Sequence, residues 1–137
     1  MTKSEFEELV EELRSRGSEL EDVEVKEASG GTPTRVWESL SALANRSGGG
    51  TLLFGFSEKD FTWIGVKDAD ELQKVVGQAC AEMEPPVRPR MDLFTEKGRR
   101  ALVVRIPECA RDHKPCYYKP SGLPGAHSSV SGTATEG

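Results

Sequence analysis

The sequence predicts an α+β domain, with a mixed, largely antiparallel sheet and about three helices packed on it. Three observations lead there. Apolar residues recur at helical spacing in three separate segments. Residues 51–56, Thr-Leu-Leu-Phe-Gly-Phe, form a nearly continuous apolar run of strand length, as expected for a central strand buried on both faces. Residues 88–95 and 99–106 read as paired strands, with Lys97-Gly98 in the turn between them.

The elements follow in order. Ser4-Glu5-Phe6-Glu7 has the S-x-x-E form of a capping box. Phe6, Leu9, Val10 and Leu13 then form an apolar stripe, and Gly17 stops that helix. Residues 19–28 alternate, with Val23 and Val25 on one side and Asp22, Glu24 and Lys26 on the other, the pattern of a half-buried strand. Thr34 is placed to cap a second helix running to about Asn45, with Val36, Trp37, Leu40, Leu43 and Ala44 on its apolar side. Ser47-Gly48-Gly49-Gly50 breaks that helix ahead of the central strand. A polar turn at 57–61 leads to a short return strand at 62–66. Asp68 opens a third helix carrying Leu72, Val75, Val76 and Ala79, which Pro85-Pro86 ends. Pro107 closes the hairpin, Tyr117-Tyr118 suits a last short strand, and the stretch beyond Pro120 reads as a flexible tail.

A chain of 137 residues suits one domain. The expected division is an amphipathic helix at 1–17, the main domain at 18–120 and the tail at 121–137. No apolar run approaches the ~20 residues of a membrane helix. No secretory h-region follows the first methionine, so a soluble, cytoplasmic protein without a membrane partner is expected. Three cysteines without Cys-x-x-Cys spacing argue against a disulfide framework. The net charge of −5 is unevenly spread. Residues 1–85 hold 9 Lys/Arg against 18 Asp/Glu, whereas residues 86–137 hold 9 against 5. A basic face on an acidic protein is therefore possible.

Four groups of residues carry chemistry. The glycines after Ala44-Asn45-Arg46 let a backbone approach a ligand or an anion. Their order, helix before and strand after, is the reverse of a Walker loop, and no Lys-Ser/Thr pair follows. By itself the loop is a weak signal, and a plain helix stop is the more common explanation. Glu19 and Glu24 flank the first strand, while Glu58 and Asp60 follow the central one. Carboxylates meeting at strand ends can hold a divalent metal and activate water on a phosphodiester, or simply be the scattered Glu of an acidic chain. Arg88, Arg90, Arg99, Arg100 and Arg105 form a basic set. Arg88 and Arg90 share a face by period two, and the paired strand can bring Arg99 or Arg105 beside them. Such a ribbon tracks phosphates, or its charges protect a sheet edge. Cys109-x-x-x-His113-x-x-Cys116 places three soft ligands close together, a weak zinc pattern that lacks a fourth ligand unless His127 or Cys80 supplies it. Cys80, on the apolar face of its helix, suits the core.

Several segments together resemble a known family. Val23-Glu24-Val25-Lys26-Glu27-Ala28 is similar to the "E-F-K-E-S" strand of the Schlafen-type AlbA domain. Residues 43–56, from Leu43-Ala44-Asn45-Arg46 through Gly48-Gly49-Gly50 to Phe56, resemble its "A-F-A-N-T-x-G-G-x-L-L-x-G-V" signature. Ile64-Gly65-Val66 matches its "I-x-G" return strand. Residues 99–107 resemble "V-x-V-I-x-V-P", and Lys114-Pro115-Cys116-Tyr117-Tyr118 the "x-P-x-Y" step after it. The likeness covers about residues 17–120 in the right order. One departure is the family's closing "Y-x-R-x-G" strand, whose place is taken by Gly125-Ala126-His127-Ser128-Ser129-Val130-Ser131-Gly132.

The resemblance implies a module that binds DNA or RNA, as at the N-terminus of bacterial transcriptional regulators. Further domains downstream in a longer parent protein are then expected, and a homo-oligomer is compatible with it. It carries over Lys26, Asn45, Arg46 and the basic hairpin as binding positions, with Lys26 and Arg46 as salt-sensitive phosphate contacts. Vertebrate relatives include metal-dependent ribonucleases with a Glu, Glu, Asp cluster. Glu19 and Glu24 fall at the two Glu positions, and Glu58 or Asp60 near the third. Magnesium or manganese enters only with that alternative; otherwise no cofactor is expected. A second alternative is a protein-interaction or oligomerisation domain.

Overall fold

A computed structural model describes residues 1–122. Residues 123–137, which hold most of the expected tail, His127 and the altered closing stretch, lie outside them. The chain runs α1 (Lys3–Arg16), β1 (Val23–Lys26), α2 (Val36–Ala44), β2 (Gly50–Phe54), α3 (Ala69–Ala81), β3 (Met83–Glu84), β4 (Arg90–Glu96), β5 (Arg99–Ile106) and β6 (Tyr117–Tyr118). Four strands form a sheet in the order β1-β2-β5-β4, and β3 pairs with β6 in a separate ribbon. β1 and β2 are parallel, while β2–β5 and β5–β4 are antiparallel. This is the predicted mixed α+β fold with three helices.

Strand alternation builds two cores. Leu52, Phe54, Leu102, Val104 and Ile106 face α2 and α3, where they meet Leu40, Leu43, Leu72 and Val76. Leu53, Ala101 and Val103 face the other way and are covered by Phe6, Val10 and Leu13 of α1. β2 is thus buried on both faces, as its apolar run requires. Phe6 fixes α1 to the sheet: its ring stacks on Phe94 at 4.3 Å and meets Trp63 edge-on at 5.4 Å.

Several boundaries depart from expectation for identifiable reasons. Thr2, not Ser4, caps α1: its hydroxyl accepts from the Glu5 N–H while the Glu5 carboxylate accepts from the Thr2 N–H. Residues Gly17–Glu19 form a 3-10 turn, so β1 starts only at Val23. Thr34 does not cap α2. Arg35 precedes that helix with a left-handed φ of 57° and no side-chain cap. The stretch 62–66 is not a ladder strand but touches the sheet through single bridges, Phe56 to Trp63 and Ala28 to Val66. α3 ends at Ala81, before the prolines, because β3 intervenes. Trp37 is half-buried, its ring stacked on Tyr118 at 5.2 Å. Among the described residues no helix is long and apolar enough to cross a membrane.

Candidate nucleic-acid interface

The strand registers place four residues in one row across the α1 side of the sheet. Val23 pairs with Thr51, Thr51 with Arg105, and Arg105 with Arg90. The next row on that face, Val25, Leu53, Val103 and Asp92, runs under α1 and is largely apolar. The arginine row lies at the end of the sheet. Arg88, two residues ahead of Arg90, joins it. Arg88, Arg90 and Arg105 line a shallow groove of about 330 Å³ with Asp22, Gly48 and Thr51.

The charge balance of this groove is positive. Arg105 approaches the Asp92 carboxylate at 3.7 Å, and the α-amine of Met1 reaches the same oxygen at 3.2 Å. Arg88 and Arg90 take part in no ion pair among the described residues, and the Arg105 Nε–H is buried without a partner. Two arginines directly opposite one another repel, an arrangement that costs stability in a ladder.

The glycine loop forms one wall, and Gly49 and Gly50 are needed for close packing. Gly48 and Gly49 have φ of 85° and 72°. A Cβ on Gly49 would lie 2.1 Å from the Ile106 carbonyl oxygen. The loop is thereby pressed against the exit of β5. Glu108 clamps it there, accepting from the Gly48 N–H at 2.9 Å and from Lys114 at 2.8 Å. The Lys114 ammonium, with help from the Gly48 amide, holds the Glu108 carboxyl below its ordinary value.

The other predicted binding positions divide. Arg46, at the root of the loop, pairs with Glu21 at 3.6 Å. The Asn45 side chain is engaged within the fold. Its amide accepts from the Cys116 N–H at 2.7 Å and donates to the carbonyls of Cys116 and Ser41. These bonds tie the end of α2 to a segment 71 residues away. Lys26 lies in the row of Phe54, hence on the opposite face of the sheet, and pairs with Glu24 at 3.4 Å. Arg99 sits at the far end of β5 from Arg105. Its guanidinium lies 5.5 Å from the Trp63 ring centroid and donates to the Trp63 carbonyl, in a hollow with Glu7, Glu8, Glu11 and Glu96.

The carboxylates and soft ligands do not gather. Among the described residues no three His, Cys, Asp or Glu form a group able to hold a metal. Glu19 reaches toward Arg16 at 3.8 Å. Glu24 accepts from Ser39 at 2.8 Å and pairs with Lys26. The Glu58 carboxylate accepts from the Glu27 N–H at 3.4 Å, and the Glu27 carboxylate accepts from the Glu58 N–H at 3.2 Å. Asp60 closes its own turn, and the Thr62 hydroxyl and amide and the Ser57 hydroxyl hold its carboxyl below the ordinary value. The Cys109, His113 and Cys116 zinc pattern fails for a related reason: Cys116 is fully buried, whereas His113 is exposed on a 3-10 turn. Sequence reasoning missed Asp22, Thr51, Asp92 and Glu108. Asp92 alone had a local signal, standing two residues after Arg90 on the same face.

The sequence profile described as Schlafen, AlbA_2 matches residues 19–127. The chain belongs to this family. It is similar to the solution structure of the N-terminal domain of a RecG-related protein from Nitrosomonas europaea. That likeness has 32% identity and a TM-score of 0.66, and covers 94% of this chain and 90% of the other. The DIP2311 protein of Corynebacterium diphtheriae shares the fold at 19% identity and a TM-score of 0.54, over 83% of this chain and 24% of its own. No curated protein gives a significant match.

Proposed function

We propose that this chain is a DNA-binding module of a transcriptional regulator, and that Arg88, Arg90 and Arg105 hold backbone phosphates in the groove beside the glycine loop. The observation that carries this reading is that Arg90 of β4, Arg105 of β5 and Arg88, two residues ahead of β4, line one groove. An Arg–Arg pair across a ladder is a local conflict, and such conflicts belong at functional sites. Guanidinium groups match phosphate oxygens with bidentate hydrogen bonds. Gly48 leaves one side of the groove without a side chain, so a backbone phosphate can come close. The name of the Nitrosomonas europaea relative refers to a DNA helicase, which favours DNA over RNA.

The test is a salt titration of binding to labelled double-stranded DNA and to a structured RNA, with and without manganese, read on native and denaturing gels. The expected result is salt-sensitive DNA binding without cleavage. Changing Arg88 and Arg90 together to Ala should weaken it roughly tenfold or more, since each lost phosphate contact costs on the order of 1 kcal/mol. Manganese-dependent RNA cleavage abolished by Glu24→Gln would replace this reading with the ribonuclease. DNA binding indifferent to the double substitution would move the interface elsewhere. No binding at low salt would favour a protein-interaction domain.

A further inference from the structure

The arginine groove leaves the three cysteines unused, although the fold brings two of them together. Cys109 donates its backbone N–H to the Ala44 carbonyl at 2.7 Å. Cys116 is held through its backbone by Asn45, the next residue along. Two adjacent anchors at the end of α2 therefore bring Cys109 and Cys116 side by side, closing the loop that carries the Arg111–His113 turn. Both thiols line one hollow with Pro85, Arg88 and Pro107. They differ in access: Cys109 is partly exposed, whereas Cys116 is fully buried behind it. Cys80 is buried in the same core.

We propose that Cys109 and Cys116 are an oxidant-responsive thiol pair that a hydroperoxide converts into an intramolecular disulfide. The deprotonated Cys109 sulfur attacks the outer peroxide oxygen. The O–O bond breaks, Cys109 becomes a sulfenic acid, and the leaving alkoxide takes a proton and departs as the alcohol. The Cys116 sulfur then attacks the Cys109 sulfur and expels hydroxide, which takes the Cys116 proton and leaves as water. Two thiols are oxidised and one hydroperoxide is reduced. Exposure sets the order of events. Cys109 alone meets the oxidant, while burial pushes the Cys116 and Cys80 thiols up to about 11 and about 12, keeping them protonated and unreactive until a sulfenic acid forms beside Cys116. Of the three thiols Cys109 is the one solvent reaches, and oxidants select accessible thiols. Arg88 and Pro107 line both this hollow and the arginine groove, so the bond would form in a wall the two share.

The experiment treats the folded full chain with hydrogen peroxide, removes it, blocks remaining thiols with N-ethylmaleimide in denaturant, and maps non-reduced tryptic peptides by mass. Trypsin cuts after Arg111, so the two cysteines leave on separate peptides unless they are bonded. The expected product is a linked pair carrying Cys109 and Cys116, two hydrogens lighter than the free peptides and separated by dithiothreitol. Cys109→Ser, at a partly exposed position, should abolish it, and Cys80→Ser should leave it unchanged. Linkage through Cys80, a sulfinic acid on Cys109 beside an intact Cys116, or three unmodified thiols would each overturn the proposal. The readout needs no nucleic acid, so its failure is separate from any failure of the DNA-binding reading.

Discussion

At the scale of single residues, Asn45 shows how a family signature can be structural. Its side chain satisfies both backbone polar groups of Cys116 and one carbonyl of α2. Asn45→Ala removes all of these bonds and leaves the part-buried Cys116 N–H unpaired, while the Cys116 carbonyl keeps the Ser41 hydroxyl, and this should cost about 2 kcal/mol. Urea unfolding should show that loss, while DNA affinity of the remaining folded protein stays unchanged. Glu108 makes a second case. Its carboxyl is held below 4.5 in the fold and returns to that value on unfolding. The unfolded chain therefore takes the proton first as pH falls. The stabilisation is complete above 4.5 and is lost as pH drops through the lower folded value. Thermal midpoints measured from neutral pH downward should fall over that range, and Glu108→Gln should flatten the acid limb.

At the scale of elements, the glycine loop and α1 depend on different physics. Gly49→Ala meets both a positive φ and the backbone of Ile106, so it should cost about 3 kcal/mol or more and appear as a large drop in the denaturation midpoint. Phe6→Ala removes the ring that joins α1 to Phe94 and Trp63, and should cost about 3 kcal/mol in the same assay. The helices, the central strand and the hairpin are all legible in the sequence, because each is carried by a local signal: an apolar period, a continuous apolar run or a turn. The start of α2 is not, since the left-handed Arg35 has no sequence mark. Nor is the role of Asn45, whose partner lies 71 residues away. The arginine site is half legible. Period two joins Arg88 to Arg90, but only the register of the Lys97-Gly98 turn selects Arg105 and sets Glu96 opposite Arg99.

At the scale of the whole molecule, the uneven charge of the sequence becomes a polarity along β5. Arg105 ends in the groove with Arg88 and Arg90, whereas Arg99 ends among the glutamates of α1. Six residues of strand at ~3.4 Å each separate the two arginines by roughly 20 Å. The Debye length is about 10 Å at 0.1 M salt, so the acidic end is screened from a ligand in the groove. A protein with net charge −5 can thus present a locally positive site to a polyanion. The salt dependence of DNA binding reads this polarity directly. Each phosphate neutralised adds about 0.9 to the slope of log affinity against log salt, so three arginines give a slope of about −2.7. Arg90→Ala should reduce its magnitude by about 0.9, whereas Arg99→Ala should leave it unchanged, with circular dichroism confirming that both variants fold. Equal reductions from the two substitutions would mean that the ligand runs the length of the hairpin, and the site would then be the ribbon rather than its end.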